Sequence, residues 1–372
     1  MIPSRVSRWG ASLPSWANRY VTQSIYAAER PEGIGATVRR SLGTRDLRQL
    51  DPFLLLDEFS VEASNDTDQQ GNKTQSGFPD HPHRGFETVT YMLKGQMKHE
   101  DFAGHKGTIQ AGDVQWMTAG RGIMHAEMPV ASAPRPSSPS SSIVHGLQLW
   151  VNLSSKDKMC QPHYQDLLDK AIPKIQPHDG IQVKVIAGQA HGIESNAFTR
   201  NPTTYLDYHM DKNQSVRIQI PKHHNGFVYV LSGKVHLGGD GPSPAVGFSE
   251  VEKKKLRDRA NIKLNDHPAV SFEGLPHHAL ILSRHEQPQK PELDSTSDDD
   301  TLFVQTKENN AHFVVLTGEP LQEPVVQDRL FVMNTQEEVR QALEDFREFK
   351  NGFESAKDWR STIAPKGYRL KF

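Results

Sequence analysis

Short segments in which β-branched and aromatic residues alternate with polar ones recur along most of the chain. Strands are predicted within residues 87–93, 107–110, 146–153, 183–188, 226–233 and 312–318. Each segment is bounded by glycine, proline or asparagine-type residues, which interrupt regular structure. Helical periodicity is almost absent between them. The pattern therefore predicts an all-β chain, built as a sandwich or barrel rather than as an α/β fold.

One helix is predicted near the end of the chain. Thr335 and Glu338 form a T-x-x-E capping box, and apolar residues then recur at helical spacing as far as Phe349. Gly352 is a suitable stop signal for this helix. We expect its apolar stripe to pack against a sheet.

Several segments lack hydrophobic periodicity and are predicted to be loops. Residues 61–76 are polar, residues 131–142 are rich in proline and serine, and residues 285–301 are acidic. An insert at about 241–275 carries the basic run KKKLRDR at 253–259. This run indicates either a nuclear-localisation patch or a solvated helical insert.

Composition limits the class of protein. A chain of 372 residues with 35% hydrophobic residues is long enough for two domains with real cores. A net charge of −2 gives no general attraction to nucleic acid or membrane, and no apolar run approaches the roughly 18 residues of a membrane span. A single cysteine, Cys160, excludes an internal disulfide and fits a reducing compartment.

The amino-terminal segment has an unusual composition. Residues 1–28 contain no Asp or Glu but three arginines and several serines, which is typical of a mitochondrial transit peptide. Two prolines, Pro3 and Pro14, disfavour the amphipathic helix that such a peptide forms. We therefore favour a disordered tail on a cytoplasmic or nuclear protein, with mitochondrial targeting by residues 1–28 as the alternative.

Two short segments carry pairs of metal-ligand residues with the same spacing. HPH contains His81 and His83, and HAE contains His125 and Glu127. Residues two apart on a strand point to the same face, so each pair would face one way. If the two strands sit across a small barrel, all four side chains converge. Three imidazoles and one carboxylate suit Fe, Mn, Ni, Cu or Zn and leave two positions of a six-coordinate metal open.

Glu87 is a competing carboxylate. It follows His83 by four residues and would share its face if the strand stays regular. Glu87 could then replace Glu127 as ligand, or could accept a hydrogen bond from a ligating histidine. The matching HPH and HAE spacing favours Glu127.

The segment that contains both pairs, residues 78–129, strongly resembles the pirin family of the cupin superfamily. Its two cupin motifs are met by His81, His83, Glu87 and Gly95, and by Gly122 and His125. Similarity extends over roughly 26–240 and 276–362. The resemblance implies a bicupin, with two β-barrels and a C-terminal helix, and one metal in the first barrel. That metal is usually iron, held by three histidines and one glutamate that correspond to His81, His83, His125 and Glu127.

The resemblance also gives domain boundaries. We expect an extension at 1–25, a metal-binding barrel at 26–150, a second barrel at 151–330 and a helical segment at 331–362 that packs on the barrels. No second metal is expected. The second barrel offers the adjacent histidine pairs 223–224 and 277–278, whose members point to opposite faces, and His312, but no carboxylate with matching spacing.

Some pirins resemble quercetin 2,3-dioxygenase, which opens the central ring of a flavonol with O2. This implies Fe2+ or another divalent metal, a flat aromatic substrate, and Glu127 as general base for the substrate hydroxyl. Phe78, Met92 and Trp116 are candidates for an apolar wall.

Pirins also resemble nuclear co-regulators in which the redox state of iron alters binding to a transcription factor. Residues 38–48 and 253–259 would then be contact surfaces. No motif for sequence-specific DNA binding is present. A third possibility is a metal that only stabilises the barrel. We expect a monomer that binds no membrane.

Overall fold

The computed structural model describes residues 19–63, 76–131, 142–238, 261–263, 272–283 and 299–365. The predicted loops at 61–76, 131–142 and 285–301, and the insert at 241–275 with its basic run, lie largely outside these residues. Within the described ranges, no helix has the length and apolar character needed to cross a membrane.

The first barrel consists of two antiparallel sheets. Its strands are β2 (Ala28–Glu32), β3 (Ala36–Leu42), β4 (Phe53–Ala63), β5 (Phe78–His83), β6 (Phe86–Lys94), β7 (Gln96–Asp101), β8 (Lys106–Gln110), β9 (Val114–Thr118), β10 (Ile123–Pro129), β11 (Ser142–Asn152) and β12 (His163–Leu167). One sheet has the strand order β12-β9-β6-β11-β4-β3-β2, and the other has the order β5-β10-β7-β8.

The second barrel repeats this plan. Its strands are β1 (Val21–Tyr26), β13 (Lys174–His178), β14 (Ile181–Ala187), β17 (Thr203–Met210), β18 (Ser215–Pro221), β19 (Asn225–Ser232), β20 (Val235–Leu237), β21 (Asn261–Lys263), β22 (Phe272–Gly274), β23 (His278–Leu282), β24 (Asp299–Gln305) and β25 (Ala311–Gly318). The sheets have the orders β13-β14-β17-β25-β19-β23-β1-β21 and β18-β24-β20-β22. Two small ladders pair β15 (Gln189–Ala190) with β16 (Ile193–Glu194), and β26 (Val326–Asp328) with β27 (Phe331–Met333).

The larger sheets of the two barrels pack against each other. On β6, Met92 belongs to the core of the first barrel, whereas Val89 and Tyr91 belong to a cluster that joins both barrels. The second barrel contributes Tyr229 and Val314 to that shared cluster. A sheet buried on both faces explains why segments such as ETVTYML carry few charged residues.

The chain changes barrels at points other than the predicted boundaries. β1 pairs with β23, so residues predicted as the end of the 1–25 extension form a strand of the second barrel. Their burial gives the reason, since Val21 and Ile25 are core residues and Arg19 donates to Asp300 at 2.7 Å. Likewise β12, predicted to belong to the second barrel, pairs with β9 of the first.

The C-terminal helix α1 (Gln336–Glu348) begins with the predicted capping box, in which the Glu338 N–H donates to the Thr335 hydroxyl. It ends before Gly352, because Phe349 adopts the left-handed conformation and caps the helix. The helix packs on β27, and a short 3-10 helix follows at Glu354–Ala356. The predicted all-β fold with two barrels and a C-terminal helix is confirmed.

Candidate metal centre

The two ligand pairs lie on neighbouring strands. His81 on β5 is the register partner of His125 on β10, so the strands pair side by side rather than facing each other across the barrel as predicted. A register shift follows His125, and Glu127 lies just beyond it. Cross-strand partners on one face have Cβ atoms about 5 Å apart, which brings the side chains together without any long-range closure.

Three histidines converge at this point. The ligand atoms of His81, His83 and His125 all lie within 4.8 Å of one another, and the Nε2 atoms of His81 and His125 are 2.9 Å apart. Two nitrogens held at right angles by one metal at about 2.1 Å are about 3.0 Å apart. Glu127 is close enough to join the set, with its Oε2 3.9 Å from His125 Nε2.

The protonation of the cluster also suits a cation. His81 Nδ1 donates to the Pro79 carbonyl at 2.8 Å, so its Nε2 carries the lone pair that faces His125. Burial lowers the pKa of His81, and lowers the pKa values of His83 and His125 further. The imidazoles are therefore neutral at pH 7, as metal ligation requires.

Glu127 is a buried carboxylate with no cationic side chain beside it among the described residues. Burial raises its pKa to about 7, although Thr90 and Gln148 act in the opposite direction. Thr90 on β6 donates to Oε1 at 3.1 Å, and Gln148 on β11 donates to the Thr90 hydroxyl at 3.1 Å. These contacts hold Oε1 and leave Oε2 toward the histidines. Three imidazoles and this carboxylate fit a divalent transition metal.

A cavity of about 860 Å³ opens beside the cluster. His81, His83 and Glu127 lie in its lining. The apolar part of its wall is formed by Val38, Leu54, Leu55, Phe59, Phe78, Trp150, Val325 and Leu330. The volume falls within the range of cavities that bind small organic molecules.

Only one of the three predicted wall residues reaches the cavity. Phe78 lines it and meets Phe59 edge-on, with ring centroids 6.3 Å apart. Met92 is fully buried in the core of the first barrel and does not line the cavity. Trp116 points the other way, into the cluster shared by the two barrels.

Trp150 occupies the place in the cavity wall that was predicted for Trp116. Its ring is 5.5 Å from that of His83, and it lines the cavity together with Gln148. These two residues are two apart on β11, so the segment GLQLWVNL contains the signal that could have found them.

Glu87 is not brought to the cluster. It accepts a hydrogen bond from the Thr118 hydroxyl at 2.6 Å. Glu87 and Thr90 are three residues apart on β6, so they point to opposite faces of the strand, and Thr90 is the one that contacts Glu127. The chain turns at Gly85, which has a φ of 86°, so Glu87 lies on a new strand, β6, and does not continue the alternation of His83. The structure therefore favours Glu127 over Glu87.

Two other groups combine two histidines with an aspartate. They are His99, His105 and Asp166, and Asp207, His209 and His312. In the second group, Asp207 is a carboxylate beside His312 that was not predicted from the sequence. In each group the two rings are stacked, with interplanar angles of 9° and 22°. A metal must lie near the plane of every ring that ligates it, so stacked rings do not share one ion in this arrangement.

Comparisons with known proteins agree with the geometry. The Pirin family matches residues 35–151, and the Pirin C-terminal cupin domain matches residues 277–352. Pirin of Homo sapiens is 44% identical over 349 residues, which span 93% of this chain and 99% of that protein. A pirin-like protein of Solanum lycopersicum is 42% identical over 344 residues, 92% of this chain and 96% of that protein.

Solved structures show the same architecture. Quercetin 2,3-dioxygenase from Acinetobacter baumannii is 31% identical with a TM-score of 0.68, covering 91% of this chain and 99% of that one. The bacterial pirin YhhW from Escherichia coli, solved in complex with nickel(II), is 16% identical with a TM-score of 0.51, covering 81% and 99%. At 16% identity, that similarity shows the fold alone.

Two barrels packed through their larger sheets, with a histidine cluster inside the first, define a cupin-type protein of the two-barrel, or bicupin, class. The similarity to pirin covers nearly the whole chain, so it identifies one family within this class. The chain belongs to the pirin family, which confirms the resemblance found in residues 78–129.

Proposed function

We propose that the protein is a metal-dependent dioxygenase that opens the ring of a flavonol-type substrate with O2, with Fe2+ as the native metal. The observation that carries this proposal is the position of the donor set. Three neutral imidazoles and a buried carboxylate lie where an aromatic-walled cavity begins. The similarity to quercetin 2,3-dioxygenase supports the same reaction class.

His81, His83, His125 and Glu127 would hold the metal. When bound, a divalent transition metal supplies Lewis-acid polarisation of a substrate hydroxyl and open positions for substrate and dioxygen. The rest of the work falls to the chain. Phe78 and Trp150 would position a flat ring and keep water away from it.

Glu127 would take the proton of the substrate hydroxyl at Oε2 when its carboxylate partly detaches from the metal. This oxygen is the one that Thr90 does not hold, and it faces the histidines. A buried carboxylate is a stronger base than an exposed one, because burial disfavours its charged form. Gln148 supports the arrangement through Thr90, so the proton acceptor is held from the opposite sheet of the barrel.

The test combines metal analysis with oxygen uptake. We expect about one equivalent of metal per chain, and O2 consumption with a ring-opened product when quercetin is added to the iron-loaded protein. His83→Ala should lose both metal and turnover, whereas the matched control His163→Ala, at an exposed position outside the cavity, should keep both. Full metal without turnover would contradict the proposed activity, and so would a Glu127→Ala variant that loses metal yet stays active.

A second candidate is redox-dependent binding of a transcription factor. The structure places Arg40 and Arg48, both from the basic segment 38–48, in the lining of the cavity that contains the histidines. If the bound iron changed from Fe(II) to Fe(III), it would add one positive charge in a poorly screened site. This charge would repel the two arginines. Hydrogen exchange of 38–48 should then differ between the two oxidation states. Identical exchange would contradict this candidate.

A further inference from the structure

The mouth of the cavity is lined with arginines from separate elements of the fold. Arg30 lies on β2, Arg48 lies in the connection between β3 and β4, and Arg329 lies in the turn between β26 and β27. Arg329 has a φ of 52°, and its carbonyl accepts a hydrogen bond from Gln327, another lining residue. Arginines from three separate parts of the chain thus line the same cavity.

Two of the three carboxylates in the cavity lining, Glu32 and Asp57, are paired with a fourth arginine. Arg40 donates to both oxygens of Asp57, at 2.7 and 2.6 Å, and to Glu32 at 2.8 Å. The same arrangement holds the Arg40 side chain rigidly in the wall. Glu127, beside the histidines, is the third carboxylate of the lining. The lining has four arginines, Arg30, Arg40, Arg48 and Arg329, against these three carboxylates, so it keeps an excess of positive charge.

Two of the mouth arginines are available to a ligand. Arg30 and Arg48 are exposed, and within the described part of the chain neither side chain forms a hydrogen bond or a close ion pair. Arg30 acts on Asp57 only through its charge. A guanidinium presents a planar fork of N–H groups that matches the oxygens of a carboxylate, sulfate or sulfonate. The floor of the same cavity carries the metal-ligand residues, so one molecule could engage both ends.

We propose that the substrate of this cavity is an aromatic chelator that carries an anionic group at the end remote from the metal, where Arg30 and Arg48 bind it. This substrate class rests on the proposed dioxygenase function. The cavity of about 860 Å³ is near the upper end of the range for small-molecule sites, so it has room for a substituent beyond the metal-binding ring. Phe59, Phe78 and Trp150 supply aromatic surface in the same lining.

The test measures binding, so that it does not depend on turnover. The probes are quercetin and quercetin 5′-sulfonate, titrated into the metal-loaded protein without oxygen and followed by fluorescence quenching. We expect the sulfonate to bind about tenfold more tightly at low salt. Because the Debye length falls to about 10 Å at 0.1 M salt, the preference should shrink as salt is added. Equal affinities for the two probes would overturn the proposal.

Variants assign the preference to particular residues. The double variant Arg30→Gln/Arg48→Gln should bind both probes with the affinity of wild type for quercetin. Arg45→Gln is the matched control, since Arg45 is exposed, three residues from Arg48, and outside the cavity lining. It should keep the tenfold preference. A preference that survives in the double variant would refute the role of these arginines.

The two proposals fail separately. Absence of O2 uptake with a retained sulfonate preference would reject the dioxygenase and leave an anion-selective aromatic site. Uptake with quercetin and its sulfonate at equal KM, together with equal affinities, would keep the dioxygenase and reject the anionic substrate class.

Discussion

Glu58 joins the two barrels and gives the sharpest test of how they are held together. It lies on β4 of the first barrel and is only 6% exposed. The Tyr229 hydroxyl, from the second barrel, donates to it at 2.7 Å. His145 and His277 donate at 2.8 and 2.7 Å, the latter also from the second barrel. Glu58→Gln keeps the size of the side chain and removes its charge.

The size of the effect follows from the pKa of Glu58. Burial alone would raise it, but the hydrogen bonds from His145, His277 and Tyr229 lower it from 4.5 to about 2. At 1.36 kcal/mol per pH unit, this difference corresponds to about 3 kcal/mol. A lowered pKa means that the stabilisation is complete above about pH 4.5 and is lost as the pH falls through about 2. Near pH 3 about half of it remains.

The assay is denaturant unfolding of chelator-treated protein, so that metal release at low pH does not contribute. Glu58→Gln should be less stable than wild type by about 3 kcal/mol at pH 7, and the difference should fall by about half near pH 3. Glu62→Gln is the matched control, an exposed glutamate on the same strand. It should change the free energy of unfolding by less than about 0.5 kcal/mol.

Two results would refute this reasoning. The first is a Glu58→Gln variant as stable at pH 7 as Glu62→Gln. The second is a loss that stays the same at pH 7 and pH 3, which would show that packing rather than the charge of Glu58 carries the effect.

Three further predictions concern the supports of the metal centre. Gly85→Ala should cost at least about 2 kcal/mol of unfolding free energy, because the added Cβ would lie 1.9 Å from a β27 carbonyl oxygen; Gly104→Ala, also at positive φ but in open space, should cost only about 1 kcal/mol. Arg84→Gln should lower the free energy of unfolding by about 3–5 kcal/mol, because it leaves the buried carboxylate of Asp345 on α1 without its cationic partner. Arg340→Gln, in an exposed ion pair, should lower it by less than about 1 kcal/mol. Calorimetry should show chelation lowering the melting temperature of wild type but not of His83→Ala, and equal shifts in both would contradict the assignment of His83 as a ligand.

The sequence determined the features that depend on local geometry. The alternation along β5 and β10 places His81 with His83, and His125 with Glu127, on one face whatever the rest of the chain does. The capping box at Thr335 likewise needs only four consecutive residues. The all-β class and the C-terminal helix follow from the same local periodicities.

Tertiary structure decided everything that depends on which strands meet. On one continuous strand, His83 and Glu87 would share a face, because they are four residues apart. The chain turns at Gly85 and begins a new strand, so Glu87 lies away from His83. Trp116 and Trp150 are both strand tryptophans, but only Trp150 faces the cavity. The reason is physical: alternation fixes which residues share a face, whereas strand pairing fixes what that face meets.

The exchange of β1 and β12 between the barrels has the same cause. Residues Val21–Tyr26 have the composition of a tail but find their hydrogen-bond partners on β23, more than 250 residues later. A strand needs a neighbouring edge to satisfy its backbone, and only the closed fold supplies that edge. The sequence by itself therefore predicted the candidate ligands, and the tertiary structure decided their neighbours: the wall of Trp150, the support from Thr90 and the arginines that line the cavity.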